Sequence, residues 1–231
     1  MNVLIIGGSS DIGLNLAKYL SSISYNVIAT YNTHKCDASN IEYLKCDIKN
    51  EDDIERVIKY TMKKYERIDV LINMAATYYD DELSNLSKDK YMEVLEVNTI
   101  GPLLTTKIYD KYIKDGLIIN IGSTDGIDTY NEYNILYASS KAALINMTKS
   151  VAMATSNRVL CLSPNWIASA STNKIDKEYL NSELKRVNQS RLITIAEFNQ
   201  SVEKIIKNNL PSGSIIRLDI RDDQLCLEKM Q

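Results

Sequence analysis

A serine, a tyrosine and a lysine stand in an order suited to acid/base chemistry on one oxygen atom. Ser123 follows an apolar run (residues 117–121) across Gly122, and Tyr137 and Lys141 come later in Tyr137-Ala138-Ser139-Ser140-Lys141. Residues four apart on a helix leave the same face one turn apart, which sets a phenol beside an ammonium. Free tyrosine titrates near pH ~10, too high for easy proton exchange at neutrality, and a nearby positive charge stabilises the phenolate. A strand end such as Ser123 is where open parallel sheets place their sites. If the loop between them folds back, the serine hydroxyl reaches the oxygen that Tyr137 would protonate. Alone, Tyr-x-x-x-Lys is a common accident, so its weight depends on the chain upstream.

The elements needed to position these groups can be read in order. Residues 2–6 (NVLII) form an apolar strand, Gly7-Gly8-Ser9-Ser10-Asp11-Ile12-Gly13 a turn, and residues 14–20 continue with helical spacing. The first amides of a helix point outward unpaired and favour a phosphate. Gly7 permits the turn, Gly13 lets the helix lie close to the sheet, and Ser9 and Ser10 offer hydroxyls. Residues 26–30 are the second strand, followed by Tyr31-Asn32-Thr33-His34-Lys35 without an acid. An acid there would bind a free ribose 2′-hydroxyl, so its absence leans towards NADP(H) over NAD(H). Only residues 31–41 separate this strand from the third (42–46), too few for a full crossover helix. Asp47 then serves an adenine amino group or caps the helix of residues 51–65.

The fourth strand (69–72) ends in Asn73-Met74-Ala75-Ala76, small enough for a cofactor to pass close to the backbone. Asp80-Asp81-Glu82 reads as a solvated loop and helix start. Residues 90–115 are helical, as two helices meeting near Asn98-Thr99, because Gly101-Pro102 starts the second. After the Tyr137 helix come a strand (158–162), a turn at Ser163-Pro164-Asn165-Trp166, and a polar stretch (168–190) expected to be a mobile flap. A helix (194–208) and a last strand (214–218) follow, and residues 221–231 take no assignment.

Composition narrows the class. With 231 residues, 45% hydrophobic and 25% charged, the chain suits one globular α/β domain. A net charge of −3 without a basic block gives no nucleic-acid surface. No apolar run approaches the ~20 residues of a membrane span, and a strand starting at residue 2 leaves no room for a signal peptide. A single histidine and four cysteines without metal-ligand spacing predict no metal site and reduced thiols in a cytoplasmic protein.

Taken together, these motifs resemble the short-chain dehydrogenase/reductase family, from residue 2 to about residue 219. The family's Thr-Gly-x-x-x-Gly-x-Gly loop looks like Ile6 to Gly13, with Ile6 for the threonine and Asp11 for the middle glycine. Its Asn-Asn-Ala-Gly turn matches Asn73-Met74-Ala75-Ala76, and its Pro-Gly stretch matches Pro164-Asn165. The resemblance implies one NAD(P)-binding Rossmann domain with a doubly wound parallel sheet of about seven strands, order 3-2-1-4-5-6-7. It implies a catalytic set of Asn98, Ser123, Tyr137 and Lys141. It places the cofactor against Gly7, Ser9, Ser10, Asp11, Ile12, Gly13, Tyr31, Asn32, Asp47, Ile48, Asn73, Ala75, Tyr137, Lys141, Pro164, Ile167 and Ser169. Tyr137 would protonate an alkoxide, Lys141 lower its pKa and hold the nicotinamide ribose, Ser123 bind the same oxygen, and Asn98 fix a water.

A small carbonyl or alcohol substrate is expected, 3-oxoacyl-thioester or otherwise, together with a homodimer or homotetramer. The rival reading is a catalytically silent dinucleotide-binding sensor on the same fold, which needs only the glycine loop, Asp47 and Asn73.

Overall fold

A computed structural model describes residues 1–230. Eight strands form one sheet: β1 (Asn2–Ile6), β2 (Asn26–Tyr31), β3 (Glu42–Lys45), β4 (Val70–Asn73), β5 (Leu117–Ile121), β6 (Arg158–Pro164), β7 (Ile215–Arg221) and β8 (Gln224–Met230). Their order is β3-β2-β1-β4-β5-β6-β7-β8. The first seven are parallel, and β8 runs antiparallel to β7.

The eighth strand corrects the expected count of seven and gives residues 224–230 a place. It is a hairpin return on a two-residue turn, Asp222-Asp223, both at positive φ (50° and 59°). Such turns match strand twist but usually carry Asn-Gly. Aspartate tolerates the left-handed region well enough to make the turn without advertising it.

Seven α-helices cover the sheet: α1 (Asp11–Ser22), α2 (Glu51–Tyr65), α3 (Lys88–Leu95), α4 (Gly101–Tyr112), α5 (Ile135–Ala152), α6 (Lys177–Arg186) and α7 (Ile195–Lys207). Alternation along β1 divides the interior. Val3 and Ile5 join a core with Leu16 and Leu20 of α1 and Phe198 and Val202 of α7. Leu4 and Ile6 join the opposite core with Ile54 and Ile58 of α2 and Ile108 and Tyr109 of α4. Each fully buried aliphatic side chain contributes about 1.5–3 kcal/mol, so both faces are held by comparable layers. The order reverses between β1 and β4, the switch point outside whose carboxyl ends such sheets bind ligands.

No helix links β2 to β3, as the short connection required. The interval between α3 and α4 is a π-turn, Glu96–Ile100. The 168–190 stretch contains α6 and is fastened at three places. Gln189 donates to the Trp166 carbonyl (2.9 Å) and accepts from the Trp166 amide (3.1 Å). Arg186 donates to the Tyr130 carbonyl (2.7 Å), while Glu183 accepts from Asn131 (2.5 Å). At its start, the Ala170 amide donates to Asp11 (2.8 Å).

Candidate active site

Ser123 stands just beyond the end of β5 in extended backbone (φ −159°, ψ 152°), capping a single 3-10 turn, Thr124–Gly126, by accepting from the Asp125 amide. That turn lies directly on α5. A Cβ added at Gly126 would meet the Lys141 carbonyl carbon and the Ala142 nitrogen, both at 2.6 Å. This glycine, which spacing alone does not single out, lets the serine loop reach the helix that carries Tyr137 and Lys141. A glycine two or three residues past a strand-end serine was the available signal.

Lys141 is buried, and its Nζ donates to the Ile121 carbonyl (2.8 Å) at the end of β5. The same nitrogen lies 5.5 Å from the centre of the Tyr137 ring. Burial pulls the lysine pKa down from 10.5 to about 8. The half-buried Tyr137 moves the other way. Burial first, then the charge of Asp125, push its phenol up, and a hydrogen-bonding contribution from Ser123 only partly opposes them. The expectation that Lys141 lowers the phenol's pKa is therefore not met in the cofactor-free chain. The ammonium is spent on a backbone carbonyl, and Tyr137 holds its proton at neutral pH.

Loop residues 77–81 are zipped along the start of α5. Tyr78 meets the Tyr137 ring edge-on, centroids 6.5 Å apart. Asp81, read from sequence as a solvated loop acid, is buried, and its carboxylate accepts from the Leu136 amide (3.1 Å). It thereby supplies the N-terminal cap that the Asn134 side chain does not. Asn98 closes the other end. Its Nδ2 donates to the Thr77 carbonyl (2.9 Å) and Ser140 Oγ (3.0 Å), while its Oδ1 accepts from the Thr77 amide (2.8 Å). This carboxamide clamps the 77 loop to α5.

On the nucleotide side, Gly7 has φ +84°, and an added Cβ would strike the Ala75 backbone at 2.4 Å. Gly13 abuts Gly8 in the same way, at 2.8 Å. Ser10 caps α1 by accepting from the Gly13 amide (3.1 Å). Ile12 packs beside the α1 core, and Ser9 uses its carbonyl to accept from Cys36. Tyr43, which sequence reasoning passed over, donates to the Gly8 carbonyl (3.3 Å) beneath the turn. Tyr31 ends β2 half-buried, Asn32 is exposed, and Asp47 Oδ1 accepts from the Lys49 amide (3.0 Å).

Two expected cofactor contacts are otherwise occupied. Ile48 is buried in the core against Gly101, where an added Cβ would meet its Cγ1 at 2.7 Å. Asn73 is also buried, donating to Asn120 Oδ1 (2.9 Å) and accepting from Thr105 (2.7 Å). Its side chain is part of a polar seam between α4 and α5, continued by Asn120 donating to Thr148.

Pro164 closes β6, and Asn165, where the family's stretch has glycine, is paired across to β7. Asn165 Nδ2 donates to Asp219 Oδ1 (3.1 Å), and buried Arg217 holds Asp219 and Asp128 together. Ile167 pairs with Ile193, and the Ser169 hydroxyl is tied to Thr172 (2.9 Å). The residues fit a dinucleotide at the glycine turn, where Gly7 and Gly13 carry no side chain and the turn leads into the start of α1. The sheet's carboxyl edge thus brings together Ser123, Tyr137, Lys141, the glycine turn, Ala75 and Pro164. Among the described residues no cluster of metal-ligating side chains occurs, and no helix is long and apolar enough to cross a membrane.

A family model for short chain dehydrogenases matches residues 1–180. The chain belongs to the short-chain dehydrogenase family. It is 30% identical over 192 residues to a 3-oxoacyl-[acyl-carrier-protein] reductase of Synechocystis, covering 76% of this chain and 77% of that one. It is 28% identical over 227 residues to carbonyl reductase family member 4 of Xenopus laevis, covering 93% and 94%. Among solved structures, ElxO with NADP bound superposes with a TM-score of 0.79 at 24% identity, over 94% of this chain and 96% of that one. The chain is accordingly an NAD(P)-dependent oxidoreductase of the short-chain type, and none of these relatives favours a silent sensor.

Proposed function

We propose that this oxidoreductase interconverts a small carbonyl compound and its secondary alcohol, using Ser123, Tyr137 and Lys141. The observation that carries the reading is the packing of Gly126 on Lys141, which gathers the serine loop, the phenol and the ammonium at one edge of the sheet. A nicotinamide cofactor, when bound, supplies the hydride. Tyr137 donates its proton to the substrate oxygen as negative charge develops there, a direction suited to a phenol held protonated at neutrality. The Ser123 hydroxyl donates to the same oxygen and lowers the barrier as oxyanion donors do. Lys141 leaves the Ile121 carbonyl to hold cofactor ribose hydroxyls, and its charge then stabilises the phenolate left when Tyr137 gives up its proton, which solvent afterwards restores. Asn98 and Asp81 keep α5 seated while this happens.

The cofactor half is read as the glycine turn from Gly7 to Gly13 with Ala75, Asp47, Tyr31, Asn32, Pro164, Ile167 and Ser169 around it. The acid-free segment Tyr31 to Lys35 supports NADP(H) over NAD(H). A 3-oxoacyl thioester is one substrate within this reading, as the printed name of the Synechocystis relative suggests. Ile100 just before α4 and Leu103 within it, each 40% exposed, support self-association as a homodimer or homotetramer; a cytoplasmic location is proposed alongside it.

The test is a panel of ketones, 3-oxoacyl thioesters and polyols assayed with both cofactors. Turnover of at least one carbonyl–alcohol pair, faster with NADPH than NADH, is expected. Tight cofactor binding with no turnover across the panel would count against the reading.

A further inference from the structure

The glycine turn carries a charge where a dinucleotide would bring its own. Asp11 is the first residue of α1, in the place of the family motif's middle glycine, and its carboxylate reaches across the turn. Asp11 Oδ2 accepts from the Ala170 amide (2.8 Å), and Oδ1 accepts from Asn15 Nδ2 (3.1 Å). Ala170 lies near the start of the 168–190 segment, immediately after Ser169. The start of α1 is partly positive, and a single helix terminus of this kind favours one anion. Here the chain already provides that anion, half-exposed and fastened to a segment more than 150 residues away.

We propose that Asp11 is an internal placeholder for the cofactor's phosphate. As the first residue of α1 it puts a negative charge beside the glycine turn and buttons Ala170 to it until a dinucleotide takes over. The proposal rests on the placement of the dinucleotide at the glycine turn given above. Binding of cofactor and release of Ala170 are then linked, and the linkage works both ways: whatever loosens the button tightens cofactor binding. A phosphate arriving beside a carboxylate also meets repulsion, so the free enzyme binds cofactor less tightly than a chain without the acid.

Two substitutions separate the parts of this device. Asp11→Asn removes the charge but keeps an oxygen able to accept from the Ala170 amide, while Asp11→Gly removes both. Binding of NADPH is measured by fluorescence at about 0.01 M salt, where charges interact over ~30 Å, and at about 1 M, where they interact over ~3 Å. Both variants are expected to bind about tenfold more tightly than the natural chain at low salt, with the gap closing at high salt. Without cofactor, trypsin should cut at Lys174, Lys177, Lys185 or Arg186 faster in Asp11→Gly than in the natural chain, and at a nearly unchanged rate in Asp11→Asn. Equal or weaker NADPH binding in both variants would overturn the placeholder. So would unchanged tryptic cutting of Asp11→Gly. Gly13→Ala tells the two readings apart. If it abolishes binding while the Asp11 variants leave it unaltered, the dinucleotide sits at the turn and only the placeholder fails. If it too leaves binding unaltered, the placement fails and takes the placeholder with it.

Discussion

Replacing Lys141 with methionine should make the folded chain more stable while removing its activity. The lysine is buried with its ammonium on one backbone carbonyl, and no carboxylate pairs with it among the described residues. Its pKa falls from 10.5 to about 8, a drop of roughly 2.5. At ~1.4 kcal/mol for each tenfold, that puts the cost of keeping it charged at neutral pH at about 3 kcal/mol. Loss of the donor to the Ile121 carbonyl takes back about 1–2 kcal/mol, which leaves a net gain of about 1–2 kcal/mol. For a domain of this size each kcal/mol moves the midpoint by about 2–4 °C.

The pH dependence gives the sign independently. The unfolded chain binds more protons than the folded one between about pH 8 and pH 10.5, so the natural protein gains stability as pH rises through that window. Below it the penalty is present in full. Thermal or urea melts of both chains without cofactor, at neutral pH and near pH 10, are the assay. The methionine variant should melt higher at neutral pH and lose its advantage at alkaline pH. A variant that melts lower at neutral pH, or a gap that ignores pH, would refute the electrostatic account of this lysine.

Carbonyl reduction should decline on the alkaline side as Lys141 loses its proton at about pH 8, with the phenol still protonated there; a pH–rate profile of kcat/KM checks this. Asp125→Asn removes a charge that raises the Tyr137 pKa, so alcohol oxidation, which needs the phenolate, should shift its profile towards acid. Gly126→Ala forces a methyl against the α5 backbone, 2.6 Å from Lys141 and Ala142, and should lower kcat by about 10²-fold while cofactor affinity, measured by fluorescence, hardly changes. Arg217→Met leaves the buried Asp219 without its partner and should cost about 3–5 kcal/mol in urea denaturation.

The periodic parts of this chain were legible because each answers to one repeat. Val3 and Ile5 against Leu4 and Ile6 declare a strand buried on both faces, and residues 51–65 declare a helix, although its cap is Asn50 and not Asp47. Tyr137 and Lys141 stood out because four-residue spacing gives them one helix face, and Ser123 because it follows a strand end. What escaped depends on long-range polar pairing. Asn73 and Asn98 read as site residues, since a polar side chain beside a groove looks functional until its buried partners Asn120, Thr105 and Ser140 are known. Asp81 looked solvated in a run of acids, yet it caps α5 from 55 residues away. Residues 168–190 looked loose by composition, and their order comes from Asp11, Asn131 and Trp166, none of them local. The β8 strand was hidden by its Asp-Asp turn and its half-exposed side chains.

The claim at the centre is that the Tyr137 hydroxyl supplies the proton to the substrate oxygen. Tyr137→Phe removes that oxygen and leaves the ring, its contact with Tyr78 and the glycine turn untouched. NADPH consumption should fall by about 10²–10⁴-fold on the best substrate of the panel, the range a general acid contributes. NADPH binding, measured on the same sample, should stay within a factor of about two. Full turnover by the phenylalanine variant would contradict the account.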